Sequence, residues 1–361
     1  MTRVAIIGAG LTGLCLAQLL HSHGSGIEVT VFEKARGPGG RMATRRADEW
    51  YFEHGTQFFT ARHPAFRRFL APYLDAGLIQ PWQPKLVGLS PNEPLYRRAW
   101  FEPHYIAVPT MNSLTKSLAA PLAVVLQHEV KALERHGREW VLHFANGQIS
   151  EPFDWVLCTV PAPMAVPLLP REFSGHAALR RVRYAPCTML MLGFDSPLPL
   201  PWDAARVHDS VLTWVARGSS RDSHPGPESL VLQSSNQWSH RNADAGLATV
   251  SETLETALRA LPGLEELPEP SCRYIHRWRY ARLLQRAEAP AYADTALQLG
   301  ACGEWGLAGS VESCFLSALA LYQRLEPLRG GLHASALLGE PLHHDELTLS
   351  PLLAKTLGRQ S

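Results

Sequence analysis

A glycine pattern near the N-terminus is the strongest chemical signal in this sequence of 361 residues. Gly8-Ala9-Gly10-Leu11-Thr12-Gly13 lies between an apolar run and a helix-forming segment, the strand–turn–helix setting that a GxGxxG motif requires. There the first glycine permits a tight turn, the second lets the backbone approach a pyrophosphate, and the third allows helix and strand to pack closely. Glu33 stands where an acidic side chain accepts hydrogen bonds from an adenosine ribose. The pattern predicts dinucleotide binding, and a simple tight turn is the weaker interpretation.

A double glycine followed by an arginine comes soon after this motif, in Arg36-Gly37-Pro38-Gly39-Gly40-Arg41-Met42. The glycines allow a close backbone approach, and Arg41 supplies charge-assisted hydrogen bonds to phosphate. The run from Glu33 to Arg41 resembles the second FAD signature of the amine oxidase and phytoene desaturase superfamily. That resemblance implies that this segment passes along the diphosphate and ribityl chain of FAD. For Arg41, a surface position is the alternative.

Further segments resemble bacterial members of the renalase family, and the resemblance covers about residues 1–326. In the superfamily, the segment at 53–62 runs beneath the isoalloxazine ring. The segments that carry the resemblance are 53–62, Gln237-Trp238-Ser239, 276–282, Cys302-Gly303-Glu304-Trp305 and Val311-Glu312. The resemblance implies an FAD oxidase that takes hydride from the 2- and 6-dihydro isomers of NAD(P). The electrons would pass to oxygen, giving NAD(P)+ and hydrogen peroxide.

We expect FAD to be held non-covalently, because no cysteine or histidine stands in an evident attachment motif. The helix that begins near Val311 is expected to aim its N-terminal amides at the flavin pyrimidine edge, where negative charge builds on reduction. The predicted cofactor-binding residues are Gly8, Ala9, Gly10, Leu11, Thr12, Gly13, Glu33, Lys34, Arg36, Gly40, Arg41, Met42, Gly55, Thr56, Gln57, Phe58, Val130, Gly303, Glu304, Val311 and Glu312.

The sequence departs from the family pattern at four places. Glu304 and Glu53 stand where the family commonly has aspartate, so an additional methylene must be accommodated at each position. The segment at 100–109 is unlike the family pattern, and the residues beyond Pro327 are additional. These departures bear on the substrate more than on the cofactor.

Hydride transfer from a dihydropyridine depends on stacking and orientation, because the C–H electron pair moves without prior deprotonation. We therefore expect no catalytic acid or base, but aromatic side chains and a few polar groups that hold a carboxamide. The predicted substrate-pocket residues are Gln57, Trp214, Trp238, His240, Trp278 and Arg279. For each tryptophan taken alone, core packing is an equally good interpretation. His240 could be a surface residue, and Arg279 a buried ion-pair partner or an FAD phosphate contact.

Residues and motifs that are absent from the sequence bear on the alternative functions. The lysines are Lys34, Lys85, Lys116, Lys131 and Lys355, and none lies where amine oxidases place the lysine that holds a water near the flavin. The absence of a second GxGxxG and of a CxxC pair argues against a disulfide reductase. Three alternatives stay open: a flavin amine oxidase or desaturase acting on another small substrate, a non-catalytic dinucleotide-binding protein, and an NAD-dependent dehydrogenase without flavin.

Composition indicates an ordinary globular protein, with 46% hydrophobic residues, 19% charged residues and a net charge of +1. This balance predicts no nucleic-acid partner, and no protein partner is evident. The six cysteines are scattered and lack metal-ligand spacing, so we expect no metal site and a reducing cytoplasm. No apolar run is long enough to cross a bilayer, and the N-terminus lacks a secretory signal, so we expect a soluble, unprocessed chain.

The predicted strands and helices that must position these residues indicate an α/β fold. A Rossmann-like, discontinuous FAD-binding domain is expected at 1–64, 124–166 and 287–326, with an α+β substrate domain on a mixed sheet at 65–123 and 167–286 and a tail at 327–361. Strands are predicted at 3–7 and 28–32 with a helix between them, and a last helix at 311–325. The proline-rich stretch at 81–103 is expected to be irregular, and Asn146-Gly147 indicates a hairpin between strands at 140–144 and 153–160.

Overall fold

The computed structural model of the protein describes residues 1–21, 26–99, 101–221, 224–325 and Leu328. Trp100 and, except for Leu328, the predicted tail at 327–361 lie outside the described residues. The strands are β1 (Thr2–Ile7), β2 (Ile27–Phe32), β3 (Arg45–Ala47), β4 (Trp50–Phe52), β5 (Ile79–Pro81), β6 (Leu86–Ser90), β7 (Glu93–Arg97), β8 (Tyr105–Ala107), β9 (Ala123–Val125), β10 (Val130–His136), β11 (Glu139–Phe144), β12 (Trp155–Cys158), β13 (Arg183–Gly193), β14 (Ala204–Val207), β15 (Leu212–Arg217), β16 (Ser229–Ser234), β17 (Cys272–Gln285), β18 (Ala291–Asp294) and β19 (Leu299–Cys302). The helices are α1 (Leu11–His21), α2 (Pro64–Asp75), α3 (Ser113–Ala119), α4 (Ala162–Ala165), α5 (His176–Leu179), α6 (Asn236–Arg241), α7 (Leu247–Arg259) and α8 (Val311–Arg324), with 3-10 turns at Gly40–Met42, Gly218–Ser220 and Glu304–Gly306.

A six-stranded sheet carries the N-terminal glycine motif, in the strand order β18-β19-β12-β1-β2-β9. All neighbouring strands run parallel except β18 and β19. The central strand β1 is apolar and buried from Val4 to Ile7, as a parallel sheet covered on both faces requires. The strands come from three separated parts of the chain, within 2–32, 123–158 and 291–302, while the exact domain bounds stay a prediction.

A second sheet has seven strands in the order β17-β13-β16-β15-β14-β6-β7, and it is mixed because β14 and β6 run parallel while the other pairs run antiparallel. On one face, the apolar side of α7 packs on residues such as Leu192 and Leu230. On the other face, Trp50 and Phe52 of β4 pack on Met191. This second face is turned toward the chain segment that follows β4, and it is called the inner face below.

Two local predictions are wrong. The turn at Asn146-Gly147 forms, but β11 pairs with β10, and only isolated bridges follow the turn. The apolar strand β12 lies instead between β1 and β19, where both of its faces are buried. The stretch predicted to be irregular contains β6 and β7, and Pro94 is tolerated in β7 because this strand lies at the sheet edge.

No helix in the described part of the chain is long and apolar enough to cross a membrane. All six cysteines are free thiols.

Candidate functional site

The glycine loop between β1 and α1 is packed tightly on one side and open on the other. A Cβ at Gly13 would lie 2.0 Å from the carbonyl oxygen of Gly8, so helix and strand require glycine at this position. At Gly10, in contrast, a Cβ would meet no atom within 4 Å. The loop therefore has an open concave side next to the N-terminal amides of α1, a position suited to an anion.

The second glycine motif lies directly against this loop. The Gly39 amide donates to the carbonyl oxygen of Ala9 at 2.9 Å, and Gly10 and Gly39 form a β-bridge. Gly39 and Gly40 have φ angles of 139° and 54°, which side-chain-bearing residues rarely adopt. The two motifs, separate in sequence, thus form one continuous glycine surface.

Glu33 ends β2 beside this surface and is buried. Its two carboxylate oxygens accept hydrogen bonds from the amides of Ala9, at 2.8 Å, and Ala35, at 2.9 Å. Each oxygen keeps a second lone pair, so the carboxylate can also accept hydroxyl hydrogen bonds. The amide of His128 donates to the Glu33 carbonyl oxygen at 2.9 Å, which brings the start of β10 and the predicted contact Val130 close to this acid.

Arg41 connects the second motif to the C-terminal one. Its guanidinium forms an ion pair with the buried carboxylate of Glu304 and donates to the carbonyl oxygen of Tyr280 at 3.1 Å. The Tyr184 hydroxyl donates to the same carboxylate, and its ring lies 5.8 Å from the guanidinium. Attraction to Glu304 outweighs burial and raises the pKa of Arg41, while burial and the neighbouring Glu304 charge raise the pKa of Tyr184. This corner therefore carries a fixed cation and an un-ionised phenol at neutral pH.

The segment at 53–62 is anchored from several sides. Glu53 is buried and accepts hydrogen bonds from the Thr44 hydroxyl, at 2.8 Å, and the Met111 amide, at 3.0 Å. Burial raises the pKa of Glu53, and Arg221 opposes this shift. Arg221 is buried and donates to the carbonyl oxygen of Gln57 at 2.6 Å. The Gln57 side chain is also buried and donates to the carbonyl oxygen of Glu53, so it supports the segment from within.

Phe58 brings this segment into an aromatic cluster. Its ring centroid lies 4.6 Å from that of His104, 5.6 Å from that of Trp82 and 5.8 Å from that of Trp214. Trp214 is 3% exposed, and its indole N–H has no hydrogen-bond partner among the described residues. A buried donor of this kind is unfavourable by about 1–3 kcal/mol unless an acceptor reaches it.

A second aromatic group lies on the same segment, at His54. Its ring stacks on Trp278 with 5.3 Å between centroids, and the indole N–H of Trp278 donates to the His54 carbonyl oxygen at 2.8 Å. The His276 ring contacts both, at 4.8 Å from His54 and 4.2 Å from Trp278. Burial is the main cause that lowers the pKa of His54, to about 4, and also lowers that of His276. Both imidazoles are therefore neutral at pH 7.

The inner face of the seven-stranded sheet joins the two aromatic groups. Residues paired directly across neighbouring strands share a face, and the register pairs Arg206 with Trp214, Trp214 with Gln233, Gln233 with Met189, and Met189 with His276. We call these five residues the central row. It runs across five strands and contains apolar, aromatic and amide side chains with one cation at its end. Within it, Met189 and Trp214 are buried.

The first turn of α8 is fixed to the same segment. Glu312 is buried, and its carboxylate accepts from the amides of Arg62, at 2.6 Å, and His63, at 3.2 Å. The Ser310 hydroxyl caps the helix by accepting from the Ser313 amide at 3.1 Å. The Gly303 amide donates to the Ser317 hydroxyl at 2.8 Å, which holds the preceding turn on α8.

The structure separates the predicted pocket residues into two groups. Gln57, Trp214 and Trp278 lie at or beside the inner face. Trp238 packs into the core on the opposite face, His240 is exposed on α6, and Arg279 is exposed and follows Trp278 in β17, so that it points to the other side of the sheet.

Sequence reasoning missed several residues of this region. Tyr184 and Arg221 lie far in sequence from every motif, and Arg206, Gln233 and Met189 reach the central row only through the strand register. His276 stood inside a recognised segment, and its alternation with Trp278 along a strand was the signal that could have placed it on the same face.

Comparisons with known proteins agree with this architecture. Residues 6–73 match the NAD(P)-binding Rossmann-like domain, and residues 97–320 match the family described as flavin containing amine oxidoreductase. The chain is 25% identical to mouse (Mus musculus) renalase, covering 90% of this chain and 99% of that protein. Its fold resembles that of an Exiguobacterium sp. 255-15 protein described as a protoporphyrinogen oxidase, with a TM-score of 0.72 at 14% identity. It also resembles a triple mutant of putrescine oxidase, with a TM-score of 0.70 at 13% identity, and each structure aligns over 90% of this chain and 99% of its own. The predicted fold class, the FAD cofactor and the resemblance to renalase are thereby confirmed.

Proposed function

Because this chain belongs to the flavin containing amine oxidoreductase family and is an FAD-dependent oxidoreductase, we propose that it oxidises dihydronicotinamide isomers. The substrates would be the 2- and 6-dihydro isomers of NAD(P), the activity that the renalase resemblance implies. With oxygen and one proton, each would give NAD(P)+ and hydrogen peroxide. Bound FAD would supply the chemistry of accepting hydride and passing two electrons to oxygen.

The residues of the glycine surface fit FAD. The open space at Gly10 and the close approach of Gly40 leave room for a diphosphate beside the N-terminus of α1. Glu33 has lone pairs for ribose hydroxyls, and the Arg41 cation lies between this surface and Glu304. We propose that these groups, with the remaining residues of the two glycine motifs and of the segments at 55–58, 303–304 and 311–312, hold the cofactor.

The observation that carries the substrate proposal is the buried, unpartnered indole N–H of Trp214 beside Phe58. A carboxamide oxygen is an acceptor that would satisfy this donor, whereas an ammonium group would not. The flat rings of the cluster suit stacking of a pyridine, and the neutral His54 and His276 add no charge that would disfavour a product pyridinium.

The proposed chemistry requires no catalytic base from these residues. Hydride leaves a dihydropyridine with its electron pair, so the chain needs to orient the ring and exclude water rather than remove a proton. No lysine belongs to the central row or to the segment at 53–62. We propose that the protein works in the cytoplasm, where its six free thiols would stay reduced.

The test is anaerobic mixing of the FAD-loaded protein with borohydride-reduced NAD+, a mixture of dihydro isomers, while the oxidised-flavin absorbance is followed. We expect rapid bleaching that is reversed when air is admitted, with hydrogen peroxide formed in equal amount. Ordinary NADH, the 4-dihydro isomer, is the matched control and should bleach the flavin far more slowly. A yellow protein that reacts with small amines instead would overturn the proposal.

A further inference from the structure

Gln233 places a carboxamide group on the inner face of the seven-stranded sheet. In the strand register it is paired with Trp214 of β15 on one side and with Met189 of β13 on the other. Both neighbours are buried, whereas Gln233 is half-buried. Directly paired residues have Cβ atoms about 4.5–5.5 Å apart, so the Gln233 amide and the Trp214 indole are immediate neighbours.

Neither of these two polar groups is used in holding the fold together. The backbone carbonyl oxygen of Gln233 accepts from the Thr213 hydroxyl at 3.3 Å, but its side chain forms no hydrogen bond within the part of the chain that the structure describes. The indole N–H of Trp214 is likewise without an acceptor there. One acceptor oxygen and the donors of two adjacent side chains are therefore left for a ligand.

The rest of the central row gives this pair largely neutral surroundings. Beyond Met189 the row continues with His276, an imidazole that is neutral at pH 7 because burial lowers its pKa. Arg206 is the one cation of the row, and it lies on the far side of Trp214, with its guanidinium 5.3 Å from the centroid of that ring. No aspartate or glutamate belongs to the row.

A primary carboxamide complements the two side chains fully. Its N–H can donate to Oε1 of Gln233, while its oxygen, with two lone pairs, can accept from Nε2 of Gln233 and from the Trp214 indole. A ketone in the same place would leave Gln233 Oε1 without a donor. A carboxylate would do the same and would also bring a charge onto a mostly apolar surface, which is unfavourable.

We propose that Gln233 is a specificity-determining residue that, together with Trp214, binds a primary carboxamide carried on a flat ring. The ring would lie beside Phe58, whose centroid is 5.8 Å from that of Trp214. That the ring is a nicotinamide rests on the proposed function, whereas the preference for a carboxamide rests on the paired side chains themselves. Gln233 would thus fix the rotation of the ring by its substituent.

The test compares benzamide, acetophenone and benzoate as ligands of the FAD-loaded protein, by saturation-transfer NMR titration, so that neither turnover nor a nicotinamide is involved. Benzamide and acetophenone differ only in an amino group replaced by a methyl group. The aromatic cluster alone would favour the more apolar acetophenone. We expect benzamide to bind roughly threefold to tenfold tighter than acetophenone, as for one neutral hydrogen bond, and benzoate to bind more weakly than benzamide.

Two variants of Gln233 separate its acceptor from its donor. Gln233→Leu has neither, so the preference should reverse and acetophenone should bind tighter than benzamide. Gln233→Glu keeps an acceptor for the ligand N–H, so the preference for benzamide over acetophenone should remain. Gln285→Leu is the matched control, because Gln285 is exposed at the end of β17, and it should bind all three ligands as the parent does.

The proposal is overturned if no ligand binds, if acetophenone binds the parent as tightly as benzamide does, or if the preference survives in Gln233→Leu. Benzoate binding tighter than benzamide would also overturn it, because the Arg206 charge would then select the ligand. If benzamide behaves as expected but dihydro isomers leave the flavin oxidised, the proposed function fails and the carboxamide site stands. If the isomers bleach the flavin without any preference for benzamide, the function stands and the role of Gln233 fails.

Discussion

The ion pair between Arg41 and Glu304 joins the second glycine motif to the turn that precedes α8. The Glu304 side chain is 6% exposed and that of Arg41 is 29% exposed, so the pair is largely removed from water. The longer glutamate, in place of the aspartate common in the family, is accommodated because its carboxylate reaches both the guanidinium and the Tyr184 hydroxyl. Glu304, which departs from the family pattern, thus has defined partners in Arg41 and Tyr184.

Breaking this pair should destabilise the protein. In Glu304→Gln the Arg41 cation and the Tyr184 hydroxyl lose a charged acceptor, which should lower the free energy of unfolding by up to about 3 kcal/mol. The loss of stability is smaller than for a fully buried pair because the Arg41 side chain stays partly exposed to solvent. Urea unfolding of the apoprotein and of the FAD-loaded protein measures it.

The control for that experiment is Glu288→Gln, which breaks an ion pair with Arg181 whose side chains are 72% and 54% exposed. An exposed pair contributes less than about 1 kcal/mol, so this variant should unfold almost as the parent does. Equal midpoints for the two variants would show that the Arg41 pair stabilises nothing.

Two glycines of the first motif should respond differently to alanine. Gly10→Ala meets open space, so the apoprotein should keep its stability within about 0.5 kcal/mol, while FAD affinity should fall at least about tenfold because the methyl group occupies the cofactor's place. Gly13→Ala collides with the Gly8 carbonyl and should destabilise the apoprotein by at least about 1–3 kcal/mol. Apoprotein melting and FAD titration separate the effects. Normal FAD affinity in Gly10→Ala would place the diphosphate elsewhere.

Local patterns explain which parts of the fold could be predicted. The strand, turn and helix around Gly8 depend on neighbouring residues, and so does the apolar period of α8. The pairing of β12 was predicted wrongly, because a turn signal at Asn146-Gly147 does not determine which sheet the next strand joins. Strand pairing depends on burial across the whole domain rather than on nearby residues.

In the candidate site, too, local patterns could not predict what depends on strand pairing. Trp238 and Trp278 looked equivalent in the sequence, yet one packs beneath α7 and the other stacks on His54. Their separation follows from the register of strands far apart in the chain, which residue type does not reveal. Arg206 lacked any motif and became a candidate only through its pairing with Trp214.

Replacing Trp214 by phenylalanine, which removes the indole N–H, should weaken substrate binding. Trp214→Phe keeps a ring beside Phe58 but no donor, so the KM for dihydronicotinamide isomers should rise roughly threefold to tenfold, as expected for one neutral hydrogen bond. FAD content should not change. Stopped-flow bleaching at varied substrate concentration gives the value.

Trp50→Phe is the matched control for this variant, because Trp50 is also buried with an unpartnered indole N–H but packs against Gly193. It should leave the KM unchanged. A Trp214→Phe enzyme that is kinetically identical to the Trp50→Phe enzyme would remove the carboxamide contact from the proposal.

The stability of the protein should fall in mild acid because of His54. Its pKa is lowered from 6.5 to about 4 in the folded chain, so below pH 6.5 the unfolded chain binds a proton that the folded chain does not. The contribution of His54 to the free energy of unfolding is therefore fully present above pH 6.5. It decreases toward pH 4, by at most about 1.4 kcal/mol per pH unit for one proton. His54→Phe keeps an aromatic ring against Trp278 and should reduce the slope in this window, while His276, whose pKa burial also lowers, maintains part of it. His240→Gln, at an exposed position on α6, is the control and should follow the parent. Urea unfolding from pH 4.5 to 7.5 tests this, and parallel profiles for the parent and His54→Phe would rule out a neutral, buried His54.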